Sequence, residues 1–379
     1  MNVTLAGAFS IDTGRESMHI YLAMALQRAG ARVGLRPTYV DLAGCPEPFV
    51  ALYARSHPHI DGPVVRSTWD GGSLDCFAGP PLFVRAVYEA TELPAGWPAV
   101  LNRTQGVIVP SSFVADACAA SGVTAPVHVV PDGVDPAAYP YLTRPAREGL
   151  TTLVVAAIWE DEPDDRKHVL QAVRAWQLAF DGDPTARLIL KLRLVPGSGL
   201  RLVRSLPLRD PRVTPVFGVE QTHGIAHWYH QADVLLALGS EGFGLPMIEA
   251  MATGLPVIAL AADGQKDVCD QATGLVLPVR PAGLEEHRHE GRARCGLRSA
   301  PDVDQAAAHL RWIASHRDEA AAIGKTASQW VHARRNVWDC GPAVLAVLGE
   351  RRRTAGLRRR MPNRARPECR PITSRTPGP

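Results

Sequence analysis

At 379 residues the chain exceeds what one hydrophobic core usually supports, so two domains with a cleft between them are expected. Its 46% hydrophobic and 21% charged residues match a soluble globular protein, and no apolar run reaches the ~18 residues of a membrane span. The net charge of +3 hides an asymmetry: residues 351–379 hold ten arginines against Glu368, a charge of +9, which leaves residues 1–350 at −6 and gives no reason to expect nucleic acid as a partner.

In chain order, Val3 to Ala8 reads as a strand without the basic lead-in and long apolar stretch of a signal peptide, which places the protein in the cytosol. Met18 to Ala29 follows as a helix ending at Gly30. Ala31 to Leu35, Pro63 to Thr68, Phe83 to Tyr88, Gly106 to Pro110 and Val127 to Val130 read as further strands, and Phe113 to Ser121 as a helix capped by Ser111 and Ser112. This alternation predicts a first doubly wound domain over residues 1–135. Residues 136–150, rich in proline, read as the linker.

A second series fills residues 151–350, with strands at Thr151 to Ala157, Ala186 to Leu192, Val213 to Val216, Val234 to Ala237 and Val257 to Ala261. Its helices are His168 to Phe180, His223 to Gln231, Pro246 to Ala252 and Asp304 to Ser315. Residues 278–302 lack periodicity and are expected to form a long loop or a poorly ordered insertion, while 351–379 read as a disordered Arg/Pro-rich extension, with contact to anionic lipid as the alternative.

The chemistry concentrates where Val234 to Ser240 runs into Glu241-Gly-Phe-Gly-Leu-Pro246. Gly242 and Gly244 allow a tight turn and a close ligand approach, and Pro246 suits the first helical turn. Backbone N–H groups and the positive end of a helix are thereby aimed at the carboxyl edge of a sheet, where a diphosphate and its sugar bind well. Glu241 and Glu249 are placed to accept hydrogen bonds from sugar or ribose hydroxyls.

These residues resemble the retaining glycosyltransferases of family 4, whose E-x7-E motif is matched by Glu241 and Glu249. The frame around them matches too, at Tyr229 to Leu236, Glu249 to Ala259 and Thr273 to Val276, as do Val107 to Val114 and Val129 to Asp135 in the first half. Tyr88-Glu89-Ala-Thr-Glu-Leu-Pro-Ala-Gly-Trp97 is similar to a segment of one subgroup. The resemblance implies the GT-B fold, two Rossmann-like doubly wound domains facing a central cleft. It implies that Glu249 binds the donor ribose, that Glu241 contacts the donor sugar, and that Gly242, Phe243, Gly244 and Leu245 cradle sugar and phosphate through their amides.

Lys167 matches the family's phosphate-binding lysine, while acidic residues occupy the usual place of the upstream arginine, so Arg166 is its substitute or the loop is remodelled. A structural alternative pairs Arg166 and Lys167 with Asp164 and Asp165. Gly14 loosely matches the glycine-rich loop of the first domain, and no histidine follows the strand near Arg66, where Ser67-Thr-Trp69 stands; His57 and His59 lie upstream.

Other signals read as structural. His223, His227 and His230 share a helix face, but Gly224 replaces the glutamate a zinc protease needs, and Asp181-Gly-Asp183 and Asp302-Val-Asp304 suit turns and caps, so no metal or cofactor is expected. The seven cysteines lack any C-x-x-C pair and are expected to be reduced thiols.

The expected activity is transfer of a sugar from a nucleoside-diphosphate sugar to a small-molecule or lipid-linked acceptor. An arginine-rich composition, 37 arginines to four lysines, suggests high-G+C coding and hence a natural-product acceptor such as an aminoglycoside antibiotic, beside cell-envelope or capsule glycosides. A nucleotide-sugar 2-epimerase and a non-catalytic GT-B partner protein remain the alternatives.

Overall fold

The computed structural model describes residues 1–58, 60–67, 81–145, 147–158, 165–194, 200–218, 222–289 and 293–350. His59, Thr68, Trp69, Asp164 and the Arg-rich tail lie outside these residues.

The first unit runs β1 (Asn2–Phe9), α1 (Gly14–Arg28), β2 (Arg32–Val40), α2 (Glu47–Arg55), β3 (Val64–Ser67), β4 (Leu82–Arg85), α3 (Trp97–Leu101), β5 (Gly106–Val109), α4 (Ser112–Ala120) and β6 (Val127–Val129). Its strands pair in parallel in the order β2-β1-β3-β4-β5-β6. β1, β4 and β5 are largely buried apolar runs, as expected of parallel strands covered on both faces. Thr13 caps α1 by accepting from Glu16 N, and Ser111 caps α4 by accepting from Val114 N, satisfying amides that a helix start otherwise leaves unpaired.

The second unit runs β7 (Thr151–Ile158), α5 (Val169–Ala179), β8 (Arg187–Leu194), α6 (Leu200–Ser205), β9 (Val213–Phe217), α7 (Thr222–Gln231), β10 (Val234–Ala237), α8 (Leu245–Ala252), β11 (Val257–Leu260), α9 (Lys266–Gln271) and β12 (Leu277–Val279). Its sheet is parallel, ordered β12-β11-β10-β7-β8-β9. The order reverses between β7 and β10, and ligands of open α/β sheets bind beyond the carboxyl ends of strands at such a point. One face packs Val154, Leu188, Leu190 and Leu236 on Trp176; the other packs Leu153 and Leu235 on Met247, Ile248 and Met251.

Two expectations are corrected. Residues 278–302 are not an irregular loop: β13 (Pro281–His289) and β14 (Ala293–Pro301) form an antiparallel hairpin. Apolar periodicity missed it because its buried side chains include His287, Arg298 and Ser299 beside Cys295 and Pro301.

The second correction concerns the end of the second unit, expected at residue 350. After α10 (Val303–Ser315) and α11 (Arg317–Arg334), the chain returns to the first unit, where α12 (Cys340–Glu350) lies against α1. Val337, Cys340, Val344 and Leu348 join the core of Val3, Ile20 and Leu26. The two helices approach closely enough that a Cβ on Gly341 would meet the Ala25 carbonyl, so only glycine fits. The return passes beside the outgoing chain: Val134 N donates to Arg335 O at 2.8 Å and Val337 N to Val134 O at 2.9 Å.

Among the described residues no helix is long and apolar enough to cross a membrane.

Candidate functional site

The loop after β7 and the loop after β10 meet at the switch point of the second sheet. Ser240 N donates to Arg166 O at 3.0 Å, and Arg166 Nη1 donates back to Ser240 O at 2.8 Å, so the two loops are joined. On this joint Lys167 Nζ pairs with Glu241 Oε1, and Arg166 Nη1 lies 3.5 Å from Glu241 Oε2 and 3.9 Å from Glu89 Oε1 of the first unit. Arg166 and Lys167 thus turn toward Glu241. Asp165 instead caps the start of α5, where its carboxylate accepts from Leu170 N at 2.7 Å.

Glu241 is mostly buried, its side chain 16% exposed. Burial alone would raise its pKa, but Lys167 and Arg166 outweigh that and hold it below the ordinary carboxylate range.

Around this cluster the backbone is drawn in tightly. Gly244 has φ +100°, and a Cβ there would stand 2.8 Å from Gln265 Cγ; the Gln265 amide donates to Gly239 O at 2.9 Å and ties the loop to the sheet edge. A Cβ on Gly242 would meet Val87 Cγ1 at 2.6 Å and Tyr88 O at 2.8 Å, so this glycine permits contact between the units. Ser111 Oγ donates to Gly242 O at 2.6 Å across the same junction, and Ser112 donates to Asp267. Gly14, first residue of α1, faces Leu245, whose Cδ1 a Cβ would reach at 2.8 Å. Gly14, Gly242, Gly244 and Leu245 are therefore brought together.

Phe243 differs: its side chain is 3% exposed and belongs to the core beneath, leaving its backbone for the site. A small pocket under the loop is lined by Lys167, Gly239, Glu241, Pro246, Met247 and Gln265.

Glu249 sits on the second turn of α8, and among the described residues no ion pair holds it. Its Oε2 accepts from Tyr229 OH at 2.7 Å, and Tyr139 supplies a second phenol. Burial raises its pKa more than the two phenols lower it. Sequence reasoning missed both tyrosines. Tyr229 was visible only as part of a matching frame, and Tyr139 sits in the proline-rich linker, where nothing marks it as buried.

In sequence Glu89 stands out only as part of a segment similar to one subgroup; its position beside Arg166 makes it a cleft residue. Among the described residues no group of three potential metal-ligating side chains occurs. Asp183 accepts from Thr185 N and Oγ1 in a turn, and Asp302 caps α10. Cys45, Cys118, Cys269, Cys295 and Cys340 are free thiols.

Residues 154–287, which hold both loops, match the family model described as glycosyl transferases group 1. The second unit thus contains a stretch similar to the group 1 glycosyl transferases. Curated relatives include the D-inositol 3-phosphate glycosyltransferase of Frankia alni, 32% identical over 184 residues, 44% of this chain and 40% of that protein. A protein of the same name from Streptomyces griseus is 38% identical over 104 residues, 24% and 21% of the two chains. The chain thus matches less than half the length of each of these relatives.

Among solved structures, sucrose-phosphate synthase of Thermosynechococcus elongatus superposes with a TM-score of 0.66 at 19% identity, covering 93% of this chain and 99% of that one. Anabaena Alr3699/HepE in complex with UDP-glucose gives a TM-score of 0.65 at 16% identity over 91% and 99%. The fold is GT-B, two parallel-sheet Rossmann-like domains.

Proposed function

We propose that the protein is a retaining, metal-independent glycosyltransferase that moves a sugar from a nucleoside-diphosphate sugar to a hydroxyl of its acceptor. The observation that carries this reading is the joint of Arg166 and Lys167 with Glu241, at the switch point of the second sheet and beside the start of α8. Two cations and the amide-rich helix start are suited to a diphosphate and would stabilise its charge as it leaves. Glu241 then faces the donor sugar, and Glu249 accepts from the ribose hydroxyls. The neighbour bound to UDP-glucose supports a nucleotide-sugar donor.

In this reading the acceptor enters from the first unit, where Gly14 and Glu89 face the donor loop. Its hydroxyl attacks on the face the diphosphate leaves, which gives retention. A cyclitol-bearing natural product such as an aminoglycoside, or a cell-envelope glycoside, is the acceptor class we favour; the arginine-rich composition and the inositol named in the curated relatives support it. The reaction takes place in the cytosol.

The test is a thermal-shift panel of UDP, GDP and dTDP sugars, in which the true donor raises Tm by mass action. It is followed by transfer assays with NMR of the product anomer. Full activity in both Glu241→Ala and Glu249→Ala would sink the assignment. Release of an epimerised donor without acceptor would replace transfer by isomerisation.

A further inference from the structure

His168 follows Lys167 directly and holds a backbone conformation that side chains rarely adopt, φ +49° and ψ +40°. Such a conformation persists where surroundings over-determine it. Here they do. The ring is fully buried; Nδ1 lies 2.8 Å from Leu238 O on the donor-loop side, and Nε2 lies 3.3 Å from Glu285 Oε2 on the hairpin. Both partners are acceptors, so with Nδ1 donating to Leu238 O and Nε2 to Glu285 Oε2 the ring is fixed at both ends.

Glu285 is in turn 3.7 Å from Arg298 Nε, an arginine 1% exposed on β14. The hairpin itself is anchored on both sides of the cleft. In the second unit Ser299 N and Oγ donate to Asp263 at 3.2 and 2.9 Å, and Ser240 Oγ donates to Ser299 O at 3.2 Å. Toward the first unit, Thr91 N donates to Leu297 O and Leu297 N to Thr91 Oγ1, both at 2.9 Å, and Cys295 Sγ donates to Glu92 O. His287 meets Tyr88 edge-on, the ring centres 5.7 Å apart.

We propose that His168 and Glu285 are positioning residues for the diphosphate clamp: the hairpin carboxylate fixes the imidazole, and the imidazole fixes the turn that presents Arg166 and Lys167 to the donor loop. The inference rests on the reading of Arg166 and Lys167 as the clamp. It extends that reading to residues that touch neither sugar nor phosphate and to an element whose sequence carries no apolar pattern. The same hairpin braces residues 88–92, and so holds Glu89 opposite Arg166 from the other side. Clamp and facing carboxylate therefore share one support.

The experiment compares nucleoside diphosphate with monophosphate. UDP and UMP, GDP and GMP, and dTDP and dTMP are titrated calorimetrically against the full chain, and the affinity ratio is taken for the base that binds. Lys167→Ala, Glu285→Ala, Glu285→Gln and His168→Asn are measured alongside, with Tm for each. Asparagine tolerates the left-handed backbone but cannot span both partners. The wild-type protein should prefer the diphosphate, and Lys167→Ala should largely lose that preference.

Glu285→Ala and His168→Asn should reduce it about fivefold, the size of one ordinary hydrogen bond, with Glu285→Gln in between. A fall in Tm with the ratio unchanged means that the pair merely stabilises the fold, and overturns the proposal while the clamp reading stands. No diphosphate preference in the wild-type protein, or one untouched by Lys167→Ala, overturns the clamp reading and the proposal with it. If His168→Asn does not fold, the Glu285 variants decide, since that side chain is 37% exposed and its loss leaves the core intact.

Discussion

The loop that precedes α8 and the second turn of α8 each offer one carboxylate, and the two are opposites. Glu241 lies against Lys167 and Arg166 and is held ionised below the usual range. Glu249 lies against Tyr229 and Tyr139, and burial raises its pKa. Eight residues of separation on one loop and helix thus give one carboxylate that balances charge and one that only accepts hydrogen bonds. Environments that push two acids apart in pKa assign them different work.

The largest effect expected from breaking this contrast is on the charged side. Lys167→Ala should lower kcat about 10²–10³-fold, the usual loss when a charge-stabilising donor is removed. On the phenol side, Glu249→Ala should act mainly through donor KM, raising it roughly ten- to a hundredfold, as expected when hydrogen bonds to a carboxylate are lost. Steady-state kinetics on both variants separate the two patterns. Equal falls in kcat would erase the distinction.

Next in size is the support of Glu249. Tyr229→Phe removes one of its two phenols and should cost about 1–2 kcal/mol of stability, read from urea midpoints at constant m. An unchanged midpoint would mean that Tyr139 alone satisfies the carboxylate.

The smallest effect is the pH dependence of stability, which takes opposite signs at the two sites. With its folded-state pKa lowered, Glu241 contributes stability that is present above the unfolded carboxylate value, about 4.3, and is lost as pH falls through the folded one. With its folded-state pKa raised, Glu249 favours folding below about 4.3, and that contribution is lost as pH rises through the folded value. Against the wild-type curve, Glu241→Gln should therefore lose stability near neutrality and little in acid. Glu249→Gln should remove the decline on the way up from acid. Denaturation curves from acid to neutral pH test both, and parallel shifts would contradict the opposition.

Sequence reading reached the segment 234–252 because its chemistry is local: an apolar run, two glycines, Pro246 and a helix follow one another without a break. The partners of that segment are remote. Lys167 reaches Glu241 across 74 positions, and Tyr139 belongs to a stretch whose prolines announce only irregularity. The hairpin was invisible for a physical reason. Period-2 reading looks for alternating apolar residues, whereas β13 and β14 bury His287 and Arg298 and expose Leu284. Helix α12 is amphipathic either way, and no pattern within it says which unit its apolar face will meet.

That return of α12 makes the first unit discontinuous in the chain. A fragment ending at the linker would lack Val337, Val344 and Leu348 and leave α1 uncovered, and a fragment beginning there would carry an apolar helix without its seat. The two units therefore cannot be exchanged between relatives as cassettes cut once at the linker. A functional chimera needs a second junction near Arg335, where the outgoing and returning chains lie side by side, so that the covering helix travels with the sheet it covers.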